Sequence, residues 1–120
     1  MAPIIVHVQK LYQELYKIGG QVPKRDKLGL HAEIDKACIK TLSACIQASL
    51  TSRNNKLAII REIRISVETM KYLVRISHEL SIIDQKKYIS IESKLQEISK
   101  MATGWEKYIT NNPQKNSGLF

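Results

Sequence analysis

The feature that most constrains the fold is a recurrence of apolar residues at spacings of three and four along most of the chain. These spacings place apolar side chains on one face of an α-helix. No segment shows the alternation of apolar and polar residues that is typical of a half-buried strand. The pattern therefore predicts an all-α protein. The repeat is clearest toward the C-terminus, where it comprises Tyr88, Ile91, Leu95, Ile98, Ala102, Trp105 and Ile109.

Short breaks divide this pattern into four predicted helices. The first helix ends at Gly19 and Gly20, because glycine readily adopts the left-handed conformation of a helix terminus. The second begins with Pro23 at its first position, where a missing N–H group costs nothing, and it ends near Leu50. Its inward side is predicted to carry Leu28, Ile34, Cys38, Leu42 and Cys45.

The second half of the chain supplies the other two helices. The third spans residues 56–80, and the fourth follows a short connection in which Asp84 is the expected N-cap. Helices joined by short loops pack as antiparallel neighbours, and 120 residues suffice for one domain with a continuous core. We therefore expect an antiparallel up-down four-helix bundle over residues 1–110, followed by a flexible C-terminal tail over residues 111–120.

The composition indicates a negatively charged partner. The chain contains 19 Lys and Arg residues against 11 Asp and Glu residues, which gives a net charge of +8. Such a surplus attracts polyanions, whether nucleic acids or acidic protein surfaces, and does not choose among them.

The expected location is the cytoplasm, with no membrane partner. No apolar run approaches the roughly 18 residues of a membrane span, and the N-terminal segment lacks the features of a secretion signal. Cys38 and Cys45 lie about two helical turns apart, which is too far for a disulfide bond. They are typical of buried free thiols in a reducing compartment.

The side chains of the third helix sort into three sectors at about 100° per residue. An apolar face that must join the core contains Ile59, Ile63, Met70, Leu73, Val74 and Ser77. A second sector, the basic stripe, contains Arg53 (if the helix is extended backward), Arg61, Arg64, Lys71 and Arg75, with Glu68 as its acid. A third sector, the apolar stripe, lies nearly opposite the core face and contains Ile65, Tyr72 and Ile76.

The two stripes suggest binding surfaces. Charge on a helix often means only a solvated face, but arginine matches phosphate geometry and the predicted helix extends over roughly 37 Å. A nucleic-acid backbone could follow such a line, and its affinity would then fall steeply with salt. An aligned apolar trio outside the core is typical of an interface, so we expect a homo-oligomer.

Motifs for catalysis are absent from the sequence. It contains no glycine-rich phosphate loop, no Cys-x-x-Cys pair and no His-Glu-x-x-His zinc motif. His7, His31 and His78 lie on three different predicted helices without patterned ligands nearby. We therefore expect no catalytic residues, no metal and no cofactor, and a binding role is favoured over an enzymatic one.

Three segments carry a family likeness. They are Val22-Pro23-Lys24-Arg25-Asp26-Lys27-Leu28-Gly29, Leu73-Val74-Arg75-Ile76-Ser77, and Lys86-Lys87-Tyr88-Ile89-Ser90 with the later run Glu97-Ile98-Ser99-Lys100-Met101-Ala102-Thr103-Gly104-Trp105. Together they resemble the accessory variability determinant (Avd) proteins of diversity-generating retroelements. These belong to a wider group of four-helix bundles that includes the intervening-sequence proteins of ribosomal RNA.

The resemblance implies a function. It implies a pentameric, positively charged barrel that associates with a reverse transcriptase and with structured RNA, or an RNA–cDNA hybrid, and supports mutagenic cDNA synthesis. The chain would be a non-catalytic accessory subunit, with Lys24, Arg25 and Arg75 as nucleic-acid contacts. Two alternatives remain: a bundle of the ribosomal-RNA intervening-sequence type, and a structural module that binds an acidic protein.

Overall fold

The protein forms the predicted antiparallel four-helix bundle, with an additional short helix between the first and second long helices. The computed structural model describes residues 2–111. Within that range the chain contains no strand and forms helices α1 (Pro3–Gly19), α2 (Lys24–Leu28), α3 (Leu30–Leu50), α4 (Arg53–Glu79) and α5 (Gln85–Asn111). Asn111 is the last residue of α5, whereas the remainder of the predicted flexible tail, residues 112–120, lies outside the described residues.

Side-chain contacts show that neighbouring helices run in opposite directions. Cys38 of α3 donates to the carbonyl oxygen of Val8 in α1 at 3.9 Å, whereas His31, earlier in α3, pairs with a later residue of α1. The same inverse order relates α4 to α5, where Lys71 bonds Gln96 at 3.0 Å and the earlier Arg64 bonds a later residue. The long helices are therefore neighbours in the cyclic order α1, α3, α4, α5.

The prediction of one continuous second helix was wrong at Gly29. This residue has φ −100° and ψ −111°, outside the helical region, and it separates α2 from α3. A Cβ atom there would lie 3.1 Å from the carbonyl oxygen of Arg25, so the tight turn suits glycine. Because the break redirects the chain, Leu28 is 71% exposed and does not enter the core as expected. Pro23 is the N-cap of α2, one residue before the predicted helical position.

The glycines at the end of α1 do not adopt the predicted left-handed conformation, and Gly19 is required there by close packing. Gly19 is the last helical residue, and Gly20 caps the helix with an ordinary φ of −68°. A Cβ atom on Gly19 would lie 3.1 Å from Nε2 of His31. The buried His31 ring donates from Nε2 to the carbonyl oxygen of Leu15 at 2.9 Å. Gly19 is therefore needed because the imidazole passes close to the backbone.

Helix α4, which is the third of the helices predicted from the sequence, presents a narrower core face than the sequence suggested. Ile59 and Leu73 are only half-buried, whereas Ile60 and Val67, which the prediction left out, are completely buried. The observed face follows a strict alternation of three and four, as in helices packed knobs-into-holes. It comprises Ile60, Ile63, Val67, Met70, Val74 and Ser77.

Two further expectations about the fold are confirmed. Asp84 caps α5, because its carboxylate accepts a hydrogen bond from the backbone N–H of Lys87 at 2.8 Å. Cys38 and Cys45 are free and buried, and burial raises the pKa of each thiol to about 12, so neither is a reactive thiolate at neutral pH. None of the helices between residues 2 and 111 is both long enough and apolar enough to cross a membrane.

Candidate nucleic-acid interface

The basic stripe lies on the outer surface of α4 where that helix faces α5. Arg61, Arg64 and Arg75 are exposed, and Lys71 is half-buried in the groove between the two helices. The backward extension of the helix to Arg53 is correct, because α4 begins at this residue. Arg53 is half-buried at the end of the bundle, two turns before Arg61.

A carboxylate on α5 joins the stripe, although the pattern of the sequence did not predict it. Glu106 accepts a hydrogen bond from Nη1 of Arg64 at 2.6 Å and another from Nε of Arg61 at 3.3 Å. The hydrogen bond from Arg64 is the main reason that the pKa of Glu106 is lowered from its ordinary value. Two guanidinium groups thus share one carboxylate, and the pair of helices keeps a net positive charge here.

Lys71 and Arg75, farther along the stripe, are held by different partners. The ammonium of Lys71 lies 3.2 Å from Oε1 of Glu68 and 3.0 Å from Oε1 of Gln96. The guanidinium of Arg75 lies 5.7 Å from the centre of the Tyr72 ring. A side-chain hydrogen bond with Tyr88 raises the pKa of Arg75 from its ordinary value. These contacts orient the cations along the groove without burying the arginine heads.

Lys24 and Arg25, which the family resemblance suggested, lie elsewhere. Both are exposed on α2, and this short helix packs against α3. Nε of Arg25 is 3.9 Å from Oδ1 of Asp26, a long contact for a side chain that is 96% exposed. The structure therefore places the predicted nucleic-acid contacts on two helices that the bundle presents separately, α2 and α4.

The apolar stripe is exposed as predicted, and it adjoins the basic stripe. Ile65 is 67% exposed and Tyr72 is 63% exposed, with Ile76 also largely open to solvent. A groove of about 510 Å³ lies beside both stripes, and its lining includes Arg61, Arg64, Ile65 and Tyr72. Charge and apolar surface are therefore contiguous along α4.

A second exposed apolar stripe on α3 was missed. Ile39, Ile46 and Leu50 have exposed side chains and the same spacing of seven and four as Ile65, Tyr72 and Ile76. The spacing itself was the available signal, because it cannot belong to the same helical face as the buried residues of α3. The bundle thus carries two matching apolar stripes on two different helices.

Possible metal ligands are dispersed among the side chains of residues 2–111. No cluster of three or more His, Cys, Asp or Glu residues lies within that range. His78, one of the three histidines of the sequence, stacks on Tyr88 with ring centres 4.5 Å apart. Its contact is therefore aromatic packing between α4 and α5.

The fold and the cationic outer surface of α4 define a basic four-helix-bundle protein. A family model described as bAvd-like matches residues 4–109, which is nearly the entire bundle. The chain belongs to the bAvd-like family, and the resemblance to Avd proteins is confirmed. No curated protein matches the chain.

Proposed function

We propose that this chain is a non-catalytic accessory subunit of a diversity-generating retroelement. In this role it binds the reverse transcriptase and its structured template RNA through a basic surface and supports mutagenic cDNA synthesis. Membership of the bAvd-like family supports the accessory role. The polymerase active site then lies on another polypeptide.

The observation that carries the RNA-binding part is the charge balance of the basic stripe. Arg61, Arg64, Lys71 and Arg75 occupy one side of α4 over roughly 21 Å. Their ion pairs within residues 2–111 involve two carboxylates, Glu68 and Glu106. Two of these guanidinium groups share the single carboxylate of Glu106, and exposed guanidinium groups can exchange a carboxylate for a phosphate at little cost.

The two apolar stripes support self-assembly as part of the same function. A contact between the α4 stripe of one copy and the α3 stripe of the next uses two different surfaces, so it is heterologous. Heterologous contacts generate a closed ring when the rotation between subunits permits it. A pentameric ring, as the family resemblance implies, would repeat the basic stripe around the assembly and strengthen binding to one RNA.

The decisive test compares two triple variants with the same loss of charge. Arg64→Ala, Lys71→Ala and Arg75→Ala together remove cations from the stripe. Lys10→Ala, Lys17→Ala and Lys40→Ala together remove three exposed lysines from α1 and α3. The measurement is the affinity for a structured RNA as a function of salt concentration.

We expect the stripe variant to bind RNA more weakly, with a slope of log K against log salt that is smaller by about two to three units. The matched variant should lose less, because its cations lie outside the stripe. Equal losses would assign binding to net charge alone. A flat salt dependence in the unmodified protein would reject nucleic-acid binding and favour an acidic protein partner. Unfolding of the stripe variant would show that the stripe is structural.

The polymerase partnership needs its own experiment. The tagged chain is expressed with the reverse transcriptase and template RNA encoded beside its gene, and the complex is purified at moderate salt. We expect both partners to co-purify and nuclease treatment to release RNA but leave the protein pair. Recovery of the tagged chain alone would contradict the proposed partnership.

A further inference from the structure

Lys56 has surroundings that neither the core nor the basic stripe explains. It lies in the first turns of α4 with a side chain that is only 4% exposed. Its ammonium nitrogen is 5.8 Å from the centre of the Trp105 ring. Within residues 2–111 this ammonium makes no hydrogen bond and no ion pair. A ring face compensates only part of the hydration that a buried cation loses.

The groups around Lys56 are positive as well. Arg53 lies one turn earlier, and burial together with the charge of Arg53 lowers the pKa of Lys56. The first turn of α4 contains no acidic residue, and its N-cap, Ser52, makes no side-chain capping bond. The N–H groups at the beginning of a helix carry partial positive charge and favour anions. This end of the bundle therefore combines several positive groups.

Trp105 adds a second unmet donor at the same place. Its indole N–H is buried and has no acceptor among the described residues. Trp105 itself is 1% exposed, so its N–H is closed to solvent and its ring forms a buried wall beside Lys56. Because buried donors in native proteins nearly always have an acceptor, the ammonium of Lys56, which has none within residues 2–111, points to a ligand rich in oxygen.

We propose that Lys56, Arg53 and the first turn of α4 form a binding site for a phosphate-type oxyanion, lying beside the ring of Trp105. A tetrahedral oxyanion offers several acceptor oxygens and suits an ammonium, a guanidinium and helix N–H groups together. A single carboxylate offers two oxygens and less charge. The phosphate belongs either to a free phosphate compound or to a nucleic-acid backbone. The site does not depend on the function proposed above.

Fluorescence of the single tryptophan provides the direct test. The chain contains one Trp residue, Trp105, so its emission reports on the environment of Lys56. Inorganic phosphate is titrated into the full chain at constant ionic strength, with chloride as the balancing ion. We expect a saturable change in emission and a rise in Tm with phosphate concentration. A linear response, or an equal response to chloride alone, would overturn the proposal.

Two lysine variants distinguish phosphate binding at this site from nonspecific attraction to the net positive charge of the chain. Lys56→Met removes the ammonium and keeps an apolar stem, and we expect phosphate affinity to fall by about tenfold or more. Lys107→Met is the matched control, because Lys107 is an exposed lysine two residues after Trp105. It should retain the phosphate response. A Lys56→Met protein that still responds as the unmodified chain does would contradict the assignment.

A variant of Arg53 keeps the test decisive if the Lys56→Met protein does not fold. Arg53 is half-buried at the beginning of α4, so Arg53→Gln should preserve the fold. We expect it to weaken phosphate binding by about threefold or more, since one charge-assisted donor is lost. Unchanged phosphate affinity in a folded Arg53→Gln protein would then overturn the proposal.

Binding of a short RNA distinguishes the two sources of phosphate. If the backbone of a nucleic acid occupies the site, Lys56→Met should weaken RNA binding and reduce the salt slope by about one unit. If a free phosphate compound occupies it, RNA affinity should stay unchanged while the response to inorganic phosphate is lost. The triple stripe variant should keep its phosphate response in both cases, which separates this site from the proposed RNA surface.

Discussion

The beginning and the middle of α4 hold their cations in opposite ways. In the middle, the exposed Arg61 and Arg64 share the carboxylate of Glu106. At the beginning, Lys56 is buried against Trp105 and forms no ion pair within residues 2–111. All three cations lie within nine residues of one helix. Their environments differ because the same helix turns one cation toward the bundle and two toward the groove with α5.

This difference separates two roles for positive charge. Exposed ion pairs contribute little to stability, so the guanidinium groups of the stripe are available to a ligand. A buried cation without an acid lowers stability and persists only where something else offsets the cost. We therefore expect an open interface in the middle of α4 and a defined anion site at its beginning.

Trp105→Ala should produce the largest effect, because it removes the ring that packs against Lys56 and fills the core. We expect a loss of about 3–5 kcal/mol in the free energy of unfolding, measured by urea denaturation with circular dichroism. The comparison variant is Arg64→Ala in the exposed stripe, which should change stability by less than about 0.5 kcal/mol. Similar losses for the two variants would remove the distinction between the regions.

Tyr72→Glu tests whether the open interface also serves assembly. Placing a charge in the apolar stripe should weaken self-association by about 2 kcal/mol or more, if this residue is central to the contact. Light scattering at micromolar concentration measures the subunit number. The matched variant Leu28→Glu, at an exposed leucine of α2, should keep the assembly. An unmodified chain that is monomeric at this concentration would contradict the oligomer prediction.

Lys56→Met tests whether the buried charge at the beginning of α4 lowers the stability of the fold, because that cost depends on pH. The lowered folded-state pKa means that the charged form of Lys56 destabilises the native state at neutral pH, and that this cost disappears as pH rises toward 10.5, the ordinary value. We expect Lys56→Met to be about 1 kcal/mol more stable than the unmodified chain at neutral pH, in buffer without phosphate.

The stability difference between these two proteins should shrink as pH rises through the folded-state pKa of Lys56. Urea unfolding at neutral and at alkaline pH measures it. A difference that stays constant across this range would show that Lys56 is not under electrostatic strain. Lys107→Met, with its exposed lysine, should show no such pH-dependent difference.

Glu106→Gln should have the smallest effect on stability, at most about 1 kcal/mol, because its partners are exposed. The lowered pKa of Glu106 means that the carboxylate stabilises the fold above its ordinary value of 4.5 and loses this contribution as pH falls through the lowered pKa. The variant and the unmodified chain should therefore become equally stable in acid.

RNA binding by the Glu106→Gln variant should strengthen slightly, since two guanidinium groups are released from a carboxylate. Weaker RNA binding would show that Glu106 is needed to orient them.

The positions of the helices could be predicted because the signals are local. The spacing of Ile91, Leu95 and Ile98 specifies one buried face, and all three are buried. Asp84 caps the helix that follows it, as its side-chain chemistry suggests. Gly29 was misjudged, since one glycine within a helical pattern can be tolerated or can redirect the chain. Only its neighbours in space show that it redirects the chain here.

The candidate sites could be predicted only in part. The exposure of Ile65, Tyr72 and Arg75 follows from the period of one helix. The pairing of Glu106 with two arginines did not follow, because the partners lie more than 40 residues apart and meet only when α4 packs on α5. The burial of Lys56 against Trp105 did not follow from the sequence for the same reason.

By itself the sequence determined the all-α class, the four long helices and the positive surface, because helical periodicity and net charge are properties of the chain. It also determined which side of α4 carries the basic and apolar stripes. Only the tertiary structure decided that Leu28 leaves the core, that Glu106 joins the stripe, and that Lys56 meets Trp105. These outcomes depend on how one helix faces another, and packing distances between helices are set by the whole bundle and not by any single segment.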